Sequence, residues 1–131
     1  MLVFDETFYV KDAWSLFHLG YEGSWPDKAD QSFAAGNTDI FSSSPSFVAH
    51  PPLGKWIIAL GMAATGAGSS FGWRLSTAIV GILAVLVVFL IARMLFNSTI
   101  LATIAGFLLA IDGHAIVMSR VALLDNIVMF F

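Results

Sequence analysis

Two acidic residues in succession, Asp5 and Glu6, are the first side chains in the sequence that could do chemistry. A positioned carboxylate can accept a proton from a reacting hydroxyl group, and carboxylate oxygens are also ligands for divalent cations. The pair has an ordinary explanation too, because negative charge in the first turn of a helix is favoured by the helix dipole. The residue types alone leave both interpretations open.

The segment HPPLGK, residues 50–55, contains the next candidates. One hypothesis places His50 and Lys55 in a pocket for an anion. The alternative is a helix that begins with proline at the membrane interface, along which Lys55 extends its ammonium group toward lipid headgroups.

Arg120 and Asp125 form a third candidate group in the segment SRVALLD. A guanidinium group near the edge of a bilayer suits a phosphate, which it can bind through two parallel hydrogen bonds. The alternative is an ion pair between the two residues, although a separation of five residues is not ideal on one helix face.

The composition restricts the kind of protein that carries these residues. Hydrophobic residues make up 58% of the 131 residues, charged residues make up 11%, and the net charge is −3. An ordinary soluble domain is about half apolar and about one quarter charged, so this chain is predicted to be a membrane protein or part of one. Six basic residues are too few for a nucleic-acid interface, and the absence of cysteine excludes disulfides and thiolate metal sites.

The second half of the chain is predicted to form the transmembrane part, residues 74–131. The uncharged run between Arg74 and Arg93 spans roughly 27 Å as a helix, close to the thickness of a bilayer core. We therefore expect a transmembrane helix at about 74–95, a tight turn near 96–98, a return helix at about 99–112 and the start of a further one from about 118. Gly113 is expected to end the return helix in a left-handed conformation.

The first half, residues 1–73, is predicted to be an extracytoplasmic loop with interfacial helices, since it holds ten of the fifteen charged residues. Apolar residues at helical spacing predict an amphipathic helix over 4–19. A Gly- and Ser-rich loop follows at 22–49, and His50-Pro51-Pro52 opens a short helix of about fourteen residues that ends at Gly66. One crossing and one return would place residues 1–73 and 112–125 on the same side of the membrane, so the charged candidates can converge there.

Four segments, in order, resemble the protein O-mannosyltransferase family and more narrowly its actinobacterial branch: FDETFYVKDAWSL, FVAHPPLGKWIIALG, FGWR and AIDGHAIVMSRVALLDNIVMFF. The resemblance spans almost the whole chain and matches the N-terminal part of such an enzyme. It implies an all-α, polytopic membrane protein with a GT-C-like helical fold, of which this fragment has about two to three transmembrane helices. It also implies a multi-pass enzyme of the cell membrane with an extracytoplasmic active site.

The same resemblance implies the reaction and its participants. Mannose is transferred from a polyprenyl-phosphate carrier to serine or threonine hydroxyls of exported proteins, with inversion at the anomeric carbon. The carrier lipid and the exported polypeptide are the expected partners, and no nucleic acid is expected. A divalent cation at Asp5 and Glu6 is left open, and no other cofactor is implied.

The resemblance also assigns roles to the candidate residues. Asp5 is expected to be the general base, and Glu6 is expected to position either Asp5 or the acceptor peptide. Arg120 is expected to bind the carrier phosphate. The expected helpers are His50 and Lys55 at the phosphate and Asp125 as the residue that orients Arg120.

Two other functions stay open from the sequence. One is a related enzyme that transfers aminoarabinose from a lipid carrier, and the other is a non-catalytic membrane subunit or part of a transporter. The enzyme hypothesis requires Asp5, His50 and Arg120 around one concavity, whereas a transporter would place its charges along a path at the membrane midplane.

Overall fold

The computed structural model describes residue 2 and residues 5–131, and its regular secondary structure is helical. The helices, in chain order, are α1 (Glu6–Leu19), α2 (Ala29–Ala34), α3 (Pro52–Thr65), α4 (Ser70–Phe96), α5 (Thr99–Ile111), α6 (Gly113–Ser119) and α7 (Leu124–Phe130). The predicted all-α class is confirmed.

Helix α1 confirms the amphipathic helix predicted near the N-terminus, although residue 4, where the predicted helix begins, lies outside the described residues. The helix ends at Gly20, whose φ of 79° is the left-handed conformation that glycine adopts most easily. The segment predicted as a loop at 22–49 contains the short helix α2. This helix was not predicted, because Gly and Ser are abundant in the segment around it. Backbone hydrogen bonds from Ser24, Ser42 and Ser46 close this segment on itself.

Helix α3 begins with Pro52 in its first turn and ends before Gly66, as predicted. It packs between α1 and α4. Ile58 and Met62 of α3 are fully buried, as are Val10 of α1 and Phe33 of α2, and they form one hydrophobic core with Trp73 at the start of α4. This core fixes the positions of α1 and α3, which carry most of the candidate residues.

Helix α4 is the one helix in the described residues that is long and apolar enough by itself to cross a membrane. It begins at Ser70, four residues before the predicted start, because the hydroxyl of Ser69 accepts a hydrogen bond from the Gly72 N–H. The predicted turn after it is confirmed. Asn97 has a left-handed φ of 46°, and the side chain of Ser98 caps α5.

The return helix ends next to Asp112, as predicted, but the predicted left-handed conformation of Gly113 is wrong. The Asp112 carboxylate accepts a hydrogen bond of 2.8 Å from the Ala115 N–H and so starts a new helix, in which Gly113 is the first residue. Helices α5 and α6 are bent by 63° at this point and together are long enough for a second, broken span. The apolar segment expected from about residue 118 is likewise interrupted, because the chain leaves the helix at Arg120 and resumes it at Leu124.

Candidate functional site

Glu6 is completely buried and binds two other parts of the chain. Its carboxylate accepts hydrogen bonds of 2.7 Å from both Nε and Nη2 of Arg74, in the first turns of α4. The same carboxylate accepts a hydrogen bond of 2.8 Å from the backbone N–H of Ala122, between α6 and α7. Glu6 therefore fixes the start of α1 against α4 and the α6–α7 connection. This environment fits a residue that positions Asp5, and it leaves no carboxylate face for an acceptor peptide.

The Glu6–Arg74 contact was not predicted from the sequence. The signal was an arginine at the start of a long apolar helix, where a charge needs a partner, but nothing in the sequence said which of the acidic residues it was. The contact also bears on the suggested divalent cation. Because both oxygens of Glu6 accept hydrogen bonds from Arg74, the Asp5–Glu6 pair does not fit a joint cation site. In the described part of the chain, no three His, Asp or Glu side chains come together in a group able to hold a metal.

Asp5, in contrast, is partly exposed and lines a cavity of about 430 Å³, here called the Asp5 cavity. One wall comes from α1 and the other from the segment that precedes α3. The lining residues are Asp5, Phe8, Tyr9, Asp12, Ser46, Phe47, Ala49 and His50. The structure thus brings together Asp5 and His50, two of the predicted site residues.

A second cavity of about 650 Å³, here called the α7 cavity, lies between the start of α3 and α7. Its walls are mostly apolar, with Leu53 from α3 and Leu124, Ile127 and Val128 from α7. Its polar lining consists of Tyr9, His50 and Asp125. Tyr9 and His50 line both cavities, and their rings meet edge to face with centroids 5.5 Å apart.

Carboxylates converge on Tyr9 at the junction of the two cavities. Burial raises the pKa of its phenol, and the negative charges of Asp5, Asp125 and Asp12 raise it further. The phenol is therefore neutral at physiological pH and can both donate and accept hydrogen bonds. No lysine or arginine of the described chain lines either cavity.

Lys55 does not reach these cavities, and its predicted role at a donor phosphate needs correction. Its side chain is fully buried, with Nζ 2.7 Å from a Glu22 oxygen and 3.1 Å from an Asp12 oxygen. Two carboxylates already compensate its charge, so neither a phosphate nor the lipid headgroups of the alternative interpretation can be its partner. Burial raises the pKa of Asp12, and this effect outweighs the opposing attraction of Lys55.

Arg120 is exposed and lies on another side of α7. It lines a cavity of about 400 Å³ with Ser70 and Arg74, and another of about 410 Å³ among α4, α5 and α6. Met129 forms part of the wall of both the latter cavity and the α7 cavity. The enzyme hypothesis required Asp5, His50 and Arg120 around one concavity. Asp5 and His50 share one, whereas Arg120 lines a cavity that adjoins the α7 cavity and not the Asp5 cavity.

The predicted orientation of Arg120 by Asp125 also needs correction. Within the described residues no ion pair joins the two side chains, and Asp125 faces the α7 cavity, which Arg120 does not line. The short non-helical segment 120–123 turns the chain between them. Arg120 and Asp125 therefore line different cavities.

Comparison with known proteins gives consistent matches. Residues 49–131 match the family model described as dolichyl-phosphate-mannose-protein mannosyltransferase. Proteins named polyprenol-phosphate-mannose–protein mannosyltransferase match over 98% of this chain. They include those of Mycolicibacterium smegmatis strain ATCC 700084 (35% identity, 22% of its length), Mycobacterium tuberculosis strain H37Rv (35%, 21%) and Corynebacterium glutamicum (37%, 22%). The chain thus spans about a fifth of the length of these relatives, and no solved structure matches it.

Proposed function

The chain belongs to the dolichyl-phosphate-mannose-protein mannosyltransferase family, and from that premise we propose that it carries the catalytic base of a membrane mannosyltransferase. The donor we propose is a polyprenyl-phosphate mannose, and the acceptors are serine and threonine hydroxyls of exported proteins. The mannosyl lipid and a protein acceptor follow from the names of the relatives, which are about five times longer than this chain. The serine and threonine hydroxyls and the export of the acceptor are what the resemblance of the sequence implies.

The observation that carries the proposal is the pair of cavities that meet at Tyr9 and His50. A hydroxyl group is a poor nucleophile, and the Asp5 cavity offers it a carboxylate without an ion-pair partner in the described chain. The donor is an amphiphile, and the α7 cavity combines an apolar wall with a polar end. The acceptor and the donor therefore each have a chemically suitable space, and the two spaces adjoin.

We propose that Asp5 accepts the proton of the acceptor hydroxyl while its oxygen forms a bond to the anomeric carbon of mannose. The bond from that carbon to the phosphate oxygen breaks, and polyprenyl phosphate leaves with the electron pair. Because the acceptor and the phosphate lie on opposite sides of the sugar in such a displacement, the product has the inverted configuration. Glu6 acts on Asp5 as a positioning residue, through its bonds to Arg74 and Ala122.

The order of the cavities supports this geometry. Asp5 lies on one side of Tyr9 and His50, and Arg120 lies beyond the α7 cavity, on the far side of Met129. Asp5 and Arg120 thus lie on opposite sides of the α7 cavity, so a donor whose sugar faces Asp5 directs its phosphate toward Arg120. We therefore propose Arg120 as the phosphate-binding residue and His50 as a hydrogen-bond donor near the reaction centre.

The decisive experiment is transfer by the purified full-length enzyme. The enzyme should move mannose from polyprenyl-phosphate mannose to a serine- or threonine-containing peptide, release polyprenyl phosphate and form the inverted linkage. Polyprenyl-phosphate aminoarabinose, offered as an alternative donor, should not be used. An enzyme that binds the mannosyl lipid but transfers nothing would contradict the proposal and favour a non-catalytic subunit.

We also propose that the protein crosses the membrane several times, with residues 1–73 and 112–125 outside the cytoplasm. Helix α4 and the bent pair of α5 and α6 support this arrangement, with Asn97 at the turn on the opposite side. A cysteine at the exposed position 37 should react with an impermeant reagent in intact cells, and a cysteine at position 97 should not. Equal labelling of the two positions would exclude this topology.

A further inference from the structure

The junction of the two cavities contains groups that the proposed proton transfer and phosphate release leave without a role. Tyr9 lies one helical turn after Asp5, and its ring meets the ring of His50 edge to face. Asp125 lines the α7 cavity beside them, and its charge is close enough to affect Tyr9. An aromatic pair and a carboxylate thus surround the space between the proposed base and the apolar donor cavity.

The chemistry of these groups indicates what kind of ligand fits. An ionised carboxylate only accepts hydrogen bonds, whereas a neutral phenol both donates and accepts them. Aromatic rings bury apolar C–H surface at low cost in side-chain entropy. Since no lysine or arginine of the described chain lines either cavity, the junction favours a neutral ligand with several hydroxyl groups over an anion.

We propose that Tyr9, His50 and Asp125 form the subsite for the sugar that is transferred. The Asp125 carboxylate accepts hydrogen bonds from the sugar hydroxyls, the Tyr9 ring packs against its C–H face, and the Tyr9 hydroxyl bonds to it. The identity of the sugar as mannose rests on the proposed function. In this subsite Asp125 contacts the substrate, instead of orienting Arg120 as the sequence resemblance implied.

Comparison of two lipids separates recognition of the sugar from recognition of the carrier. One lipid is polyprenyl-phosphate mannose, and the other is the same polyprenyl phosphate without sugar. The dissociation constants of both are measured for full-length wild-type enzyme and for the variants Tyr9→Ala, Tyr9→Phe and Asp125→Asn, together with kcat and KM for transfer. If these residues bind the sugar, their substitution weakens binding of polyprenyl-phosphate mannose only. If their role is purely structural, substitution weakens binding of both lipids.

Matched controls are available elsewhere in the chain. Tyr21 is exposed, and its hydroxyl donates to the Ser43 carbonyl at 2.8 Å, so Tyr21→Phe and Tyr21→Ala test the loss of a tyrosine outside the cavities. Asp27 is exposed and lines neither cavity, so Asp27→Asn tests the loss of a surface carboxylate. These controls should leave both dissociation constants and the rate of transfer unchanged.

For Tyr9→Ala and Asp125→Asn we expect binding of the mannosyl lipid to weaken about tenfold or more, and binding of the sugar-free lipid to change less than about twofold. Tyr9→Phe keeps the ring and should lose a smaller part of the affinity. If Tyr9→Ala does not fold, Tyr9→Phe and Asp125→Asn conserve volume and decide the question. Equal losses for both lipids, or no loss for either, in these two variants would overturn the subsite.

The failure of the subsite is distinguishable from failure of the proposed function. If wild-type enzyme transfers mannose but the ratio of the two dissociation constants is unchanged in the Tyr9 and Asp125 variants, only the subsite is overturned. If wild-type enzyme transfers no mannose, the proposed function is overturned, and the assignment of a mannose subsite fails with it.

Discussion

Two groups of charged and titratable residues in this chain differ in their environment. The first group, here called the ion-pair core, has Glu6, Glu22 and Lys55 buried, whereas Asp12 and Arg74 are partly exposed. It ties α1 to α3 and α4 through Glu6–Arg74 and through Lys55 with two carboxylates. The second, here called the open site, contains Asp5, His50, Asp125 and Arg120 along three adjoining cavities. The open-site residues form no ion pair within the described part of the chain.

This difference shows how the fold separates structure from chemistry. Removing a charge from water costs several kcal/mol, so an enclosed charge persists only with a partner that compensates it. A charge that lies in a cavity keeps some hydration and stays available to a substrate. Asp5 and Glu6 demonstrate the separation most directly, because adjacent acidic residues belong to different groups.

The largest expected effect is in the open site. Asp5→Asn removes the basic oxygen but conserves size, so turnover should fall by about 10²–10⁴-fold while the enzyme still folds and binds the donor lipid. Steady-state kinetics of the full-length enzyme, with donor binding measured separately, provide the test. Turnover within a few-fold of wild type would place the base elsewhere.

Substitutions in the ion-pair core should lower the free energy of unfolding. Glu6→Gln leaves Arg74 without its counter-charge, and breaking a buried pair costs roughly 3–5 kcal/mol. We expect the low end of that range, because the Arg74 side chain is 30% exposed. The measurement is the unfolding midpoint of the full-length enzyme in detergent. The double variant Glu6→Gln/Arg74→Gln should lose less than the sum of the single losses, and additive losses would show that the pair does not couple α1 to α4.

At Arg120 the effect should appear in donor affinity. Arg120→Ala should weaken binding of the carrier lipid about tenfold or more, and Arg120→Lys should weaken it less because it keeps the charge but loses the planar fork. Arg93→Lys is the matched control, because Arg93 binds Asn97 at the opposite end of α4. Normal donor affinity in Arg120→Ala would remove Arg120 from the open site.

The smallest expected effect concerns the pH dependence of the ion-pair core. Because the pKa of Asp12 is raised in the folded protein, folding favours its protonated form, and this contribution to stability is lost as the pH rises from the ordinary carboxyl range through the raised pKa. Asp12→Asn should therefore flatten the stability profile in that window. The change should be modest, because Glu22 continues to pair with Lys55. Unfolding of wild type and of Asp27→Asn, followed across the same pH range, is the comparison, and an unchanged profile in Asp12→Asn would contradict the assignment.

The sequence predicted the elements that depend on local chemistry. Pro52 marks the start of α3, and Asn97 and Ser98 mark the turn between α4 and α5, because a helix end is determined by the few residues around it. Gly113 shows the limit of such signals. An aspartate followed by glycine is compatible both with the end of a helix and with the N-terminus of a new one. Here the Asp112 side chain accepts a hydrogen bond from the Ala115 N–H and caps a new helix.

The ion pairs could not be predicted from the sequence, because their partners are distant in the chain. Glu6 and Arg74 are separated by 68 residues, and Lys55 and Glu22 by 33. Lys55 has the same side chain whether it points to lipid headgroups or into a buried pair, and only the packing of α3 on α1 determines which. The sequence therefore allowed the prediction that Asp5 and His50 share a concavity, but not the prediction of the partner of any buried charge.

The hydrogen bond from Ala122 to Glu6 has a consequence for biogenesis. It joins residues that are separated by 116 positions, and Arg74 follows Glu6 by 68. At a synthesis rate of about 5–20 residues per second, Glu6 waits roughly 3–14 s for its counter-charge and roughly 6–23 s for its backbone partner. The Glu6 carboxylate therefore lacks both partners until α4 and the segment after α6 have been synthesised, so the start of α1 reaches its final packing late in the synthesis of this part of the chain.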